Sequence, residues 1–148
     1  MAGPIRVLFV CTHNSTRSQI AEALLSQNEA FESNSAGTEA THVNPYAIRA
    51  LAEVGIDWSF ARSKPATELL DQRFDYVITV CDKARETCPV FPGAKQTLHW
   101  SFDDPFEVEG DDATKLEAFR RTRTAVSARL APFIEEATRG ARAAQAGR

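Results

Sequence analysis

Residues 7–19 read VLFVCTHNSTRSQ, in which an apolar run ends in a polar loop that leads into a helical pattern. Residues 5–10 predict a buried parallel strand, and the apolar side chains that recur through residues 17–27 predict a helix. A loop from a strand end to a helix N-terminus turns its N–H groups inward and suits a tetrahedral oxyanion. The residues expected to surround the anion are Thr12, His13, Asn14, Ser15, Thr16, Arg17 and Ser18.

Cys11 and Arg17 stand at C-x5-R spacing at the two ends of this loop. Arg17 offers a planar fork that matches two oxygens of an oxyanion. Cys11 lies in the same field, so we expect its pKa to fall from about 8.5 to about 6.5, a change of roughly 2.7 kcal/mol. Ser18 can donate a hydrogen bond to the sulfur, and Asn14 suits a left-handed or side-chain-bonded loop position. A buried cysteine with an unrelated arginine nearby is the alternative, and the surrounding pattern favours the nucleophile.

Length and charge exclude several classes of protein. The chain has 148 residues, of which 43% are hydrophobic and 25% charged, with a net charge of −3. We therefore expect one domain over residues 1–148 and no nucleic-acid partner, so that any affinity for anions is local. No apolar stretch approaches about 18 residues, and the N-terminus does not resemble a signal peptide. These features predict a cytoplasmic protein with no membrane partner, and we expect a monomer.

Strands and helices alternate along the rest of the chain. After the strand at residues 5–10, further strands are predicted at residues 31–35, 74–80 and 95–100. Such alternation predicts an α/β fold with a four-stranded parallel sheet, whose sites form outside the carboxyl ends of the strands.

The remaining helices have recognisable ends. Asn44 is expected to cap a helix over residues 45–55. Residues 63–70 are expected to form a short helix or turn. The last helix should run from about residue 113 to 138, with Pro132 kinking or splitting it, and residues 140–148 should form a frayed tail.

Three cysteines, Cys11, Cys81 and Cys88, are an odd set that argues against a framework of structural disulfides. Cys88 follows Cys81 by seven positions, so in a helix their Cα atoms would lie about 10.5 Å apart along the axis. A disulfide needs Cα atoms roughly 4.4 to 6.8 Å apart. Bonding would therefore require this polar segment to unwind. Two cysteines without a chemical role remain an alternative, and a zinc site is a weaker one because the ligand spacing is not recognisable.

Asp104 follows the fourth predicted strand and precedes Pro105, which holds it in an extended conformation. A partly desolvated carboxyl group beside an oxyanion can keep a proton near neutral pH and give it to a departing oxygen. Asp103 is expected to be solvated or to assist, and a plain Asp-Pro turn is the alternative. Cys81, Asp104 and the loop after the first strand should meet at one edge of the sheet.

Together these residues resemble the low-molecular-weight tyrosine phosphatase fold, and more closely its thioredoxin-coupled arsenate reductase branch. The resemblance extends from about residue 7 to residue 129. It is carried by CTHNSTRSQ at 11–19, AE at 21–22, SAG at 35–37, VNPYAI at 43–48, the two later cysteines, and HWSFDDP at 99–105. It implies a three-layer fold in which helices flank the central sheet.

The resemblance also implies roles for five residues. Cys11, Cys81 and Cys88 would form a redox relay, Arg17 would bind the oxyanion, and Asp104 would be the acid. The first cysteine attacks arsenate, the second attacks the first and releases arsenite, and the third attacks the second to give a disulfide that thioredoxin reduces. Phosphate or sulfate would mimic arsenate, and no bound cofactor is needed.

One departure from the family concerns potassium. Relatives that bind potassium beside the loop use groups matching Asn14, Glu22 and Ser35, together with Thr and Asp side chains where this chain has Arg62 and Lys64. We expect this chain to hold no metal and to keep only the remnant of that site. The Lys64 ammonium would then take the place of the ion.

Two other functions compete with the reductase. A low-molecular-weight phosphatase would hydrolyse phosphoesters with the first cysteine, the arginine and the aspartate alone. Cys81 and Cys88 favour the reductase, as does Gln19 where such phosphatases usually have proline, and weak phosphatase activity can coexist with it. A non-catalytic thiol redox sensor is the alternative from another class.

Overall fold

The computed structural model describes the backbone of residues 3–146 and the side chains of residues 3–144. Four parallel strands form one sheet in the order β2-β1-β3-β4, flanked by helices. The strands are β1 (Ile5–Cys11), β2 (Phe31–Gly37), β3 (Phe74–Thr79) and β4 (Ala94–His99). The helices are α1 (Arg17–Leu25), α2 (Pro45–Ala52), α3 (Asp82–Thr87) and α4 (Asp112–Ala146), with short 3₁₀ turns at Ala66–Leu69 and Pro105–Glu107. The fold class predicted from the sequence is confirmed.

β1 is the centre of the sheet because it pairs in parallel with both β2 and β3. Residues 7–10 are all 0% exposed, as expected for a strand covered on both faces. In the register, Cys11 lies beside Gly37 of β2, and Val10 lies beside Thr79 of β3. The carboxyl ends of these three strands therefore meet at one edge of the sheet.

The start of α2 is confirmed in detail. The Asn44 side chain accepts a hydrogen bond of 2.8 Å from the Tyr46 N–H, and Pro45 occupies the first helical position. The helix ends at Ala52, before Gly55, which adopts a left-handed φ of +82°.

α4 is one continuous helix of 35 residues, so a split at Pro132 and the end predicted near residue 138 are wrong, and the alternative of a kink at Pro132 stays a prediction. The frayed tail predicted over residues 140–148 is wrong as far as Ala146, which is still helical, and residues 147 and 148 lie outside the described part. No helix within the described range is both long and apolar enough to span a membrane.

Phe133 explains how α4 continues through a proline. Its ring centroid lies 4.9 Å from that of Tyr76, 5.3 Å from that of Trp100 and 6.0 Å from that of Phe31. A proline inside a helix costs about 3 kcal/mol, and aromatic pairs contribute about 0.5–1.5 kcal/mol each beyond their buried area. The ring cluster directly after Pro132 therefore offsets the missing hydrogen bond and fixes the helix to the sheet.

We expect Phe133→Ala to lower the free energy of unfolding by about 3–5 kcal/mol, because it removes a buried ring shared by helix and sheet. Phe60→Ala is the matched control, since the Phe60 side chain is 75% exposed, and it should cost less than about 1 kcal/mol. Urea unfolding followed by circular dichroism measures both. Equal losses in the two variants would contradict this account of α4.

Candidate active site

The polar loop after β1 surrounds a pocket because its carbonyl groups turn outward. The C=O groups of Cys11, Thr12, His13 and Ser15 accept hydrogen bonds of 2.7 to 3.2 Å from N–H groups of residues 38–44. In a trans peptide the N–H of the following residue points the opposite way from the carbonyl. The N–H groups of residues 12–14 and 16 are therefore directed toward the pocket, where they can contact an oxyanion.

β2 approaches this loop so closely that its last residue must be glycine. A Cβ atom at Gly37 would lie 2.7 Å from the Thr12 oxygen and 2.8 Å from the Asn14 nitrogen. The Gly37 N–H donates a hydrogen bond of 2.8 Å to the Lys64 oxygen. From the sequence Gly37 is recognisable only as the end of a strand, because the neighbour that it contacts is distant along the chain.

Asn14 fixes the shape of the loop from beneath. Its φ is +51°, which confirms the predicted left-handed position, and it is 0% exposed. Its Nδ2 donates to Ser18 Oγ at 2.8 Å and to Ser35 Oγ at 2.9 Å. Its Oδ1 accepts from the Lys64 N–H at 2.9 Å and from Gln19 Nε2 at 3.0 Å. Because every hydrogen-bonding position of the amide is used, the side chain has a single orientation.

Gln19 and Trp58 form a second support that the sequence analysis missed. Gln19 is 0% exposed, and its Nε2 donates to the backbone oxygens of Asn14 and Arg62 at 3.1 Å. Its Oε1 accepts from Trp58 Nε1 at 2.8 Å. The signal available was a long polar side chain beside the apolar stripe of the predicted helix, since a buried amide must find partners.

Cys11 lies at the floor of the pocket, where it is 3% exposed and its Sγ is 2.8 Å from Ser18 Oγ. Because Ser18 Oγ accepts a hydrogen bond from Asn14, its own hydrogen is available to the sulfur. Burial raises the pKa of the Cys11 thiol above its ordinary value, opposed by the Ser18 hydrogen bonds and, more weakly, by the Arg17 charge. The predicted fall in this pKa is therefore wrong. Desolvation of the thiolate outweighs the favourable field of the site.

Arg17 and Asp104 face each other across the pocket. Arg17 Nη2 lies 3.5 Å from Asp104 Oδ2, and Arg17 Nη1 donates to the Phe102 oxygen at 3.1 Å. Asp104 also accepts a hydrogen bond of 3.0 Å from the Phe106 N–H, which holds the carboxylate at the start of a 3₁₀ turn. Asp103 is exposed. The cavity has a volume of about 370 Å³ and is lined by Cys11, Arg17, Asp104, His13, His42 and Phe106, among others.

Cys81 reaches the same edge of the sheet as Cys11. The Val80 N–H donates a hydrogen bond of 2.9 Å to the Val10 oxygen, which keeps the two strand ends side by side. Thr12 Oγ1 is 3.3 Å from Cys81 Sγ, and Cys81 is 3% exposed. Thr12 thus connects the second thiol to the loop by a side-chain contact that sequence spacing does not reveal.

Cys88 stands apart from the pocket and from Cys81. Helix α3 separates it from Cys81, with Cys81 at the N-terminal cap and Cys88 at the C-terminal cap. All three cysteines are free thiols. Cys88 is half-buried, and burial raises its pKa to about 11. The segment between the two cysteines is therefore helical. In this form their sulfurs are too far apart to bond, and a disulfide would require α3 to unwind.

Glu22, one of the three candidate potassium ligands, is already paired with a protein cation. Lys64 Nζ lies 3.8 Å from Glu22 Oε1, and Ser35 Oγ donates to the same oxygen at 2.5 Å. Burial raises the pKa of Glu22, and the Lys64 charge opposes that rise. An added potassium ion would meet the Lys64 ammonium, so these residues do not fit the ion. Among residues 3–144, no group of three or more His, Cys, Asp and Glu side chains is placed to hold a metal.

Comparison with known protein families gives one match that spans nearly the whole chain. The family model described as low molecular weight phosphotyrosine protein phosphatase matches residues 6–143. The arsenate reductase of Halalkalibacterium halodurans is 41% identical over 131 residues, which cover 87% of this chain and 94% of that protein.

Solved structures show the same similarity. An arsenate reductase in its phosphate-binding state superposes with a TM-score of 0.71 at 32% identity, covering 89% of this chain and 98% of the other. A thioredoxin-dependent arsenate reductase from Corynebacterium glutamicum superposes with a TM-score of 0.66 at 34% identity, covering 93% of this chain and 65% of the other.

We expect Ser18→Ala to raise the pKa of Cys11 further, because the thiolate loses its closest hydrogen-bond donor. The measurement is the pH dependence of iodoacetamide alkylation in a Cys81→Ser/Cys88→Ser background, in a buffer free of phosphate. The alkylation midpoint should move to higher pH, and alkylation at pH 7 should slow. Ser26→Ala, outside the pocket, is the control. A midpoint in the parent below that of free cysteine would show that desolvation does not dominate.

We expect Lys64→Met to lower stability by about 1–2 kcal/mol, because it leaves the buried Glu22 carboxylate without its cation. The melting temperature of the unsubstituted protein should be equal in potassium and sodium chloride. The variant should recover more stability in potassium than in sodium. Lys95→Met, which removes an exposed partner of Asp75, is the control. A potassium-specific rise in the melting temperature of the unsubstituted protein would show that the Lys64 ammonium does not occupy the place of the potassium ion.

Proposed function

Because this chain belongs to the low molecular weight phosphotyrosine protein phosphatase family, we propose that it is an arsenate reductase that uses three of its own thiols in turn. The observation that carries the proposal is the second buried thiol, Cys81, connected through Thr12 to the loop that begins at Cys11. Ester hydrolysis on this loop needs one nucleophile. A second thiol beside the first is what a reduction requires, because a two-electron transfer from thiols ends in a disulfide.

In the first step, arsenate binds to the N–H groups of the loop and to Arg17. The Cys11 thiol gives its proton to an oxygen of the bound arsenate, and the resulting thiolate attacks arsenic, so a sulfur–arsenic bond forms and an arsenic–oxygen bond breaks. Asp104 gives its proton to the leaving hydroxyl, which departs as water. When the anion takes over the contacts of the Arg17 guanidinium, the Asp104 carboxyl is released toward the leaving oxygen. Phosphate has the same shape and charge and would occupy the same cradle.

In the second step, the Cys81 thiolate attacks the sulfur of Cys11. A disulfide forms, the sulfur–arsenic bond breaks, and its electron pair stays on arsenic, which leaves as arsenite. Thr12 lies 3.3 Å from the attacking sulfur, so its hydroxyl can donate a hydrogen bond to the thiolate. Both electrons come from protein sulfur, and no bound cofactor takes part.

In the third step, Cys88 attacks Cys81, loses its proton to solvent and releases Cys11 as a thiolate. Thioredoxin then reduces the Cys81–Cys88 disulfide, which is consistent with the similarity to a thioredoxin-dependent relative. While α3 is folded, the raised pKa keeps Cys88 in the less reactive thiol form. Free thiols and a thioredoxin donor belong to a reducing compartment, so we assign the reaction to the cytoplasm. Since one chain holds all three sulfurs, we expect a monomer to suffice.

Phosphoester hydrolysis is the second candidate function, and the size of the pocket favours it as a side activity. The cavity of about 370 Å³ extends beyond the loop toward His42 and Phe106, and the Phe106 ring is 73% exposed at its rim. This space can hold the organic group of an aryl phosphate, with Cys11 as nucleophile and Asp104 as acid.

We expect arsenate-dependent oxidation of NADPH when the protein is coupled to thioredoxin and thioredoxin reductase. Cys81→Ser and Cys88→Ser should each lower this rate by about 10²-fold or more, because each breaks the relay. Cys88→Ser should still release about one arsenite per protein molecule and stop at the Cys11–Cys81 disulfide.

Hydrolysis of an aryl phosphate is the internal control for this experiment. Cys81→Ser and Cys88→Ser should keep that activity, and Cys11→Ser should lose it. Full reductase activity in both Cys81→Ser and Cys88→Ser would eliminate the relay. Aryl phosphate hydrolysis without any NADPH oxidation would instead assign the protein as a phosphatase. Many turnovers of arsenate would exclude a redox sensor.

A further inference from the structure

Helix α3, which lies between the second and third thiols, is tied to the end of β4 by a polar cluster that the relay does not use. Asp82, the first residue of α3, lies with its Oδ1 3.0 Å from His99 Nε2 and 3.3 Å from Ser101 Oγ. His99 Nδ1 lies 2.8 Å from Thr79 Oγ1. Because a carboxylate only accepts hydrogen bonds, His99 Nε2 must carry the hydrogen. The imidazole is thus held at both nitrogens and links α3 to two strands.

The other contacts of α3 are weaker or purely apolar. Ala84 is 0% exposed and packs into the core. Lys83 pairs with Glu39 at 3.3 Å, but both side chains are more than 60% exposed, so the pair contributes little. A helix of six residues has almost no stability of its own, and tertiary contacts decide whether it forms. The Asp82 side chain is 77% exposed, but its partner His99 is only 21% exposed and is held at both nitrogens, so this contact is the directional restraint on the N-terminal end of α3.

We propose that His99 is a positioning residue that, through Asp82, latches α3 in its helical form and so controls when Cys88 can reach Cys81. The inference rests on the proposed reductase function. With the latch closed, Cys88 stays one helix length away and Cys81 remains available to attack Cys11. An early Cys81–Cys88 disulfide would remove the thiol that the second step needs.

The position of the latch also explains its release. Cys81 directly precedes Asp82, so a bond from Cys81 to Cys11 pulls on the residue that His99 holds. His99 and Cys88 line the same cavity of about 560 Å³ beside α3, which leaves space for the unwound segment. The third step is an exchange in which the sulfur–sulfur bond moves from Cys11–Cys81 to Cys81–Cys88, with no net change in oxidation state.

A first test measures the latch in the reduced protein without arsenate, by amide hydrogen exchange of residues 83–88. His99→Leu and Asp82→Ala should each raise exchange by about fivefold, as expected for loss of one charge-assisted hydrogen bond at a largely exposed site. The double variant should exchange no faster than Asp82→Ala alone, because Asp82→Ala already removes the contact that His99→Leu breaks. Asp82→Asn retains an acceptor and should recover most of the protection. Lys83→Ala, which breaks the exposed pair on the same helix, should change exchange by less than about twofold.

A second test follows the disulfides after the reduced protein is mixed with excess arsenate, by rapid alkylation and mass spectrometry. The Cys11–Cys81 bond should form at the same rate in every variant, and its conversion to Cys81–Cys88 should be about fivefold faster without the latch. Additive effects of His99→Leu and Asp82→Ala, or exchange and conversion rates equal to those of the parent, would overturn the latch. A parent protein that shows the latch by hydrogen exchange but never forms the Cys81–Cys88 bond would instead overturn the relay, and with it the role given to His99.

Discussion

The site depends on the hydrogen bonds that turn the carbonyls of the loop after β1 away from the pocket. Four of these carbonyls bond to N–H groups of the segment that follows β2, and the N–H groups between them are left facing inward. This requires the end of β2 to lie against the loop, where Gly37 alone avoids a clash with backbone atoms. Asn14, in its left-handed conformation, bonds to four side-chain and backbone partners beneath the loop. The anion site is therefore built by packing between segments that are distant in sequence.

The same packing makes the Cys11 thiol harder to deprotonate. A closed loop with a buried sulfur at its floor excludes water, and desolvation raises the pKa of Cys11 although Ser18 and Arg17 oppose it. Burial raises this pKa and the nearby hydrogen bonds and positive charge lower it, and in this pocket burial has the larger effect. A resting thiol is also protected from adventitious oxidation, since the thiolate is the reactive form. The pocket therefore combines a thiol of raised pKa with a hydrogen-bond donor, Ser18, beside the sulfur and with backbone N–H groups that face the cavity.

The sequence predicted the features that depend on local pattern. The four strands, the cap at Asn44, the left-handed Asn14 and the segment from Cys11 to Arg17 all follow from periodicity, turn chemistry or spacing. Features that depend on long-range packing were missed. The continuity of α4 through Pro132 comes from rings contributed by β2, β3 and the residue after β4, and the Trp58–Gln19 support joins residues 39 positions apart. The pKa of Cys11 belongs to the same class, because burial is a property of the whole fold. The role of each site residue stays a prediction.

The arrangement of the three sulfurs gives the relay a direction. Cys11 and Cys81 are both 3% exposed and lie at the ends of adjacent strands. Cys88 is more exposed but separated by a folded helix, so its contact with Cys81 needs the largest rearrangement. In the proposed relay the oxidising equivalent would move from the two buried sulfurs to the more exposed Cys88, and the second transfer would require α3 to unwind. The proposed relay requires α3 to unwind, because a protein reductant can reach only an exposed disulfide, so the contacts that hold α3 would control the last transfer.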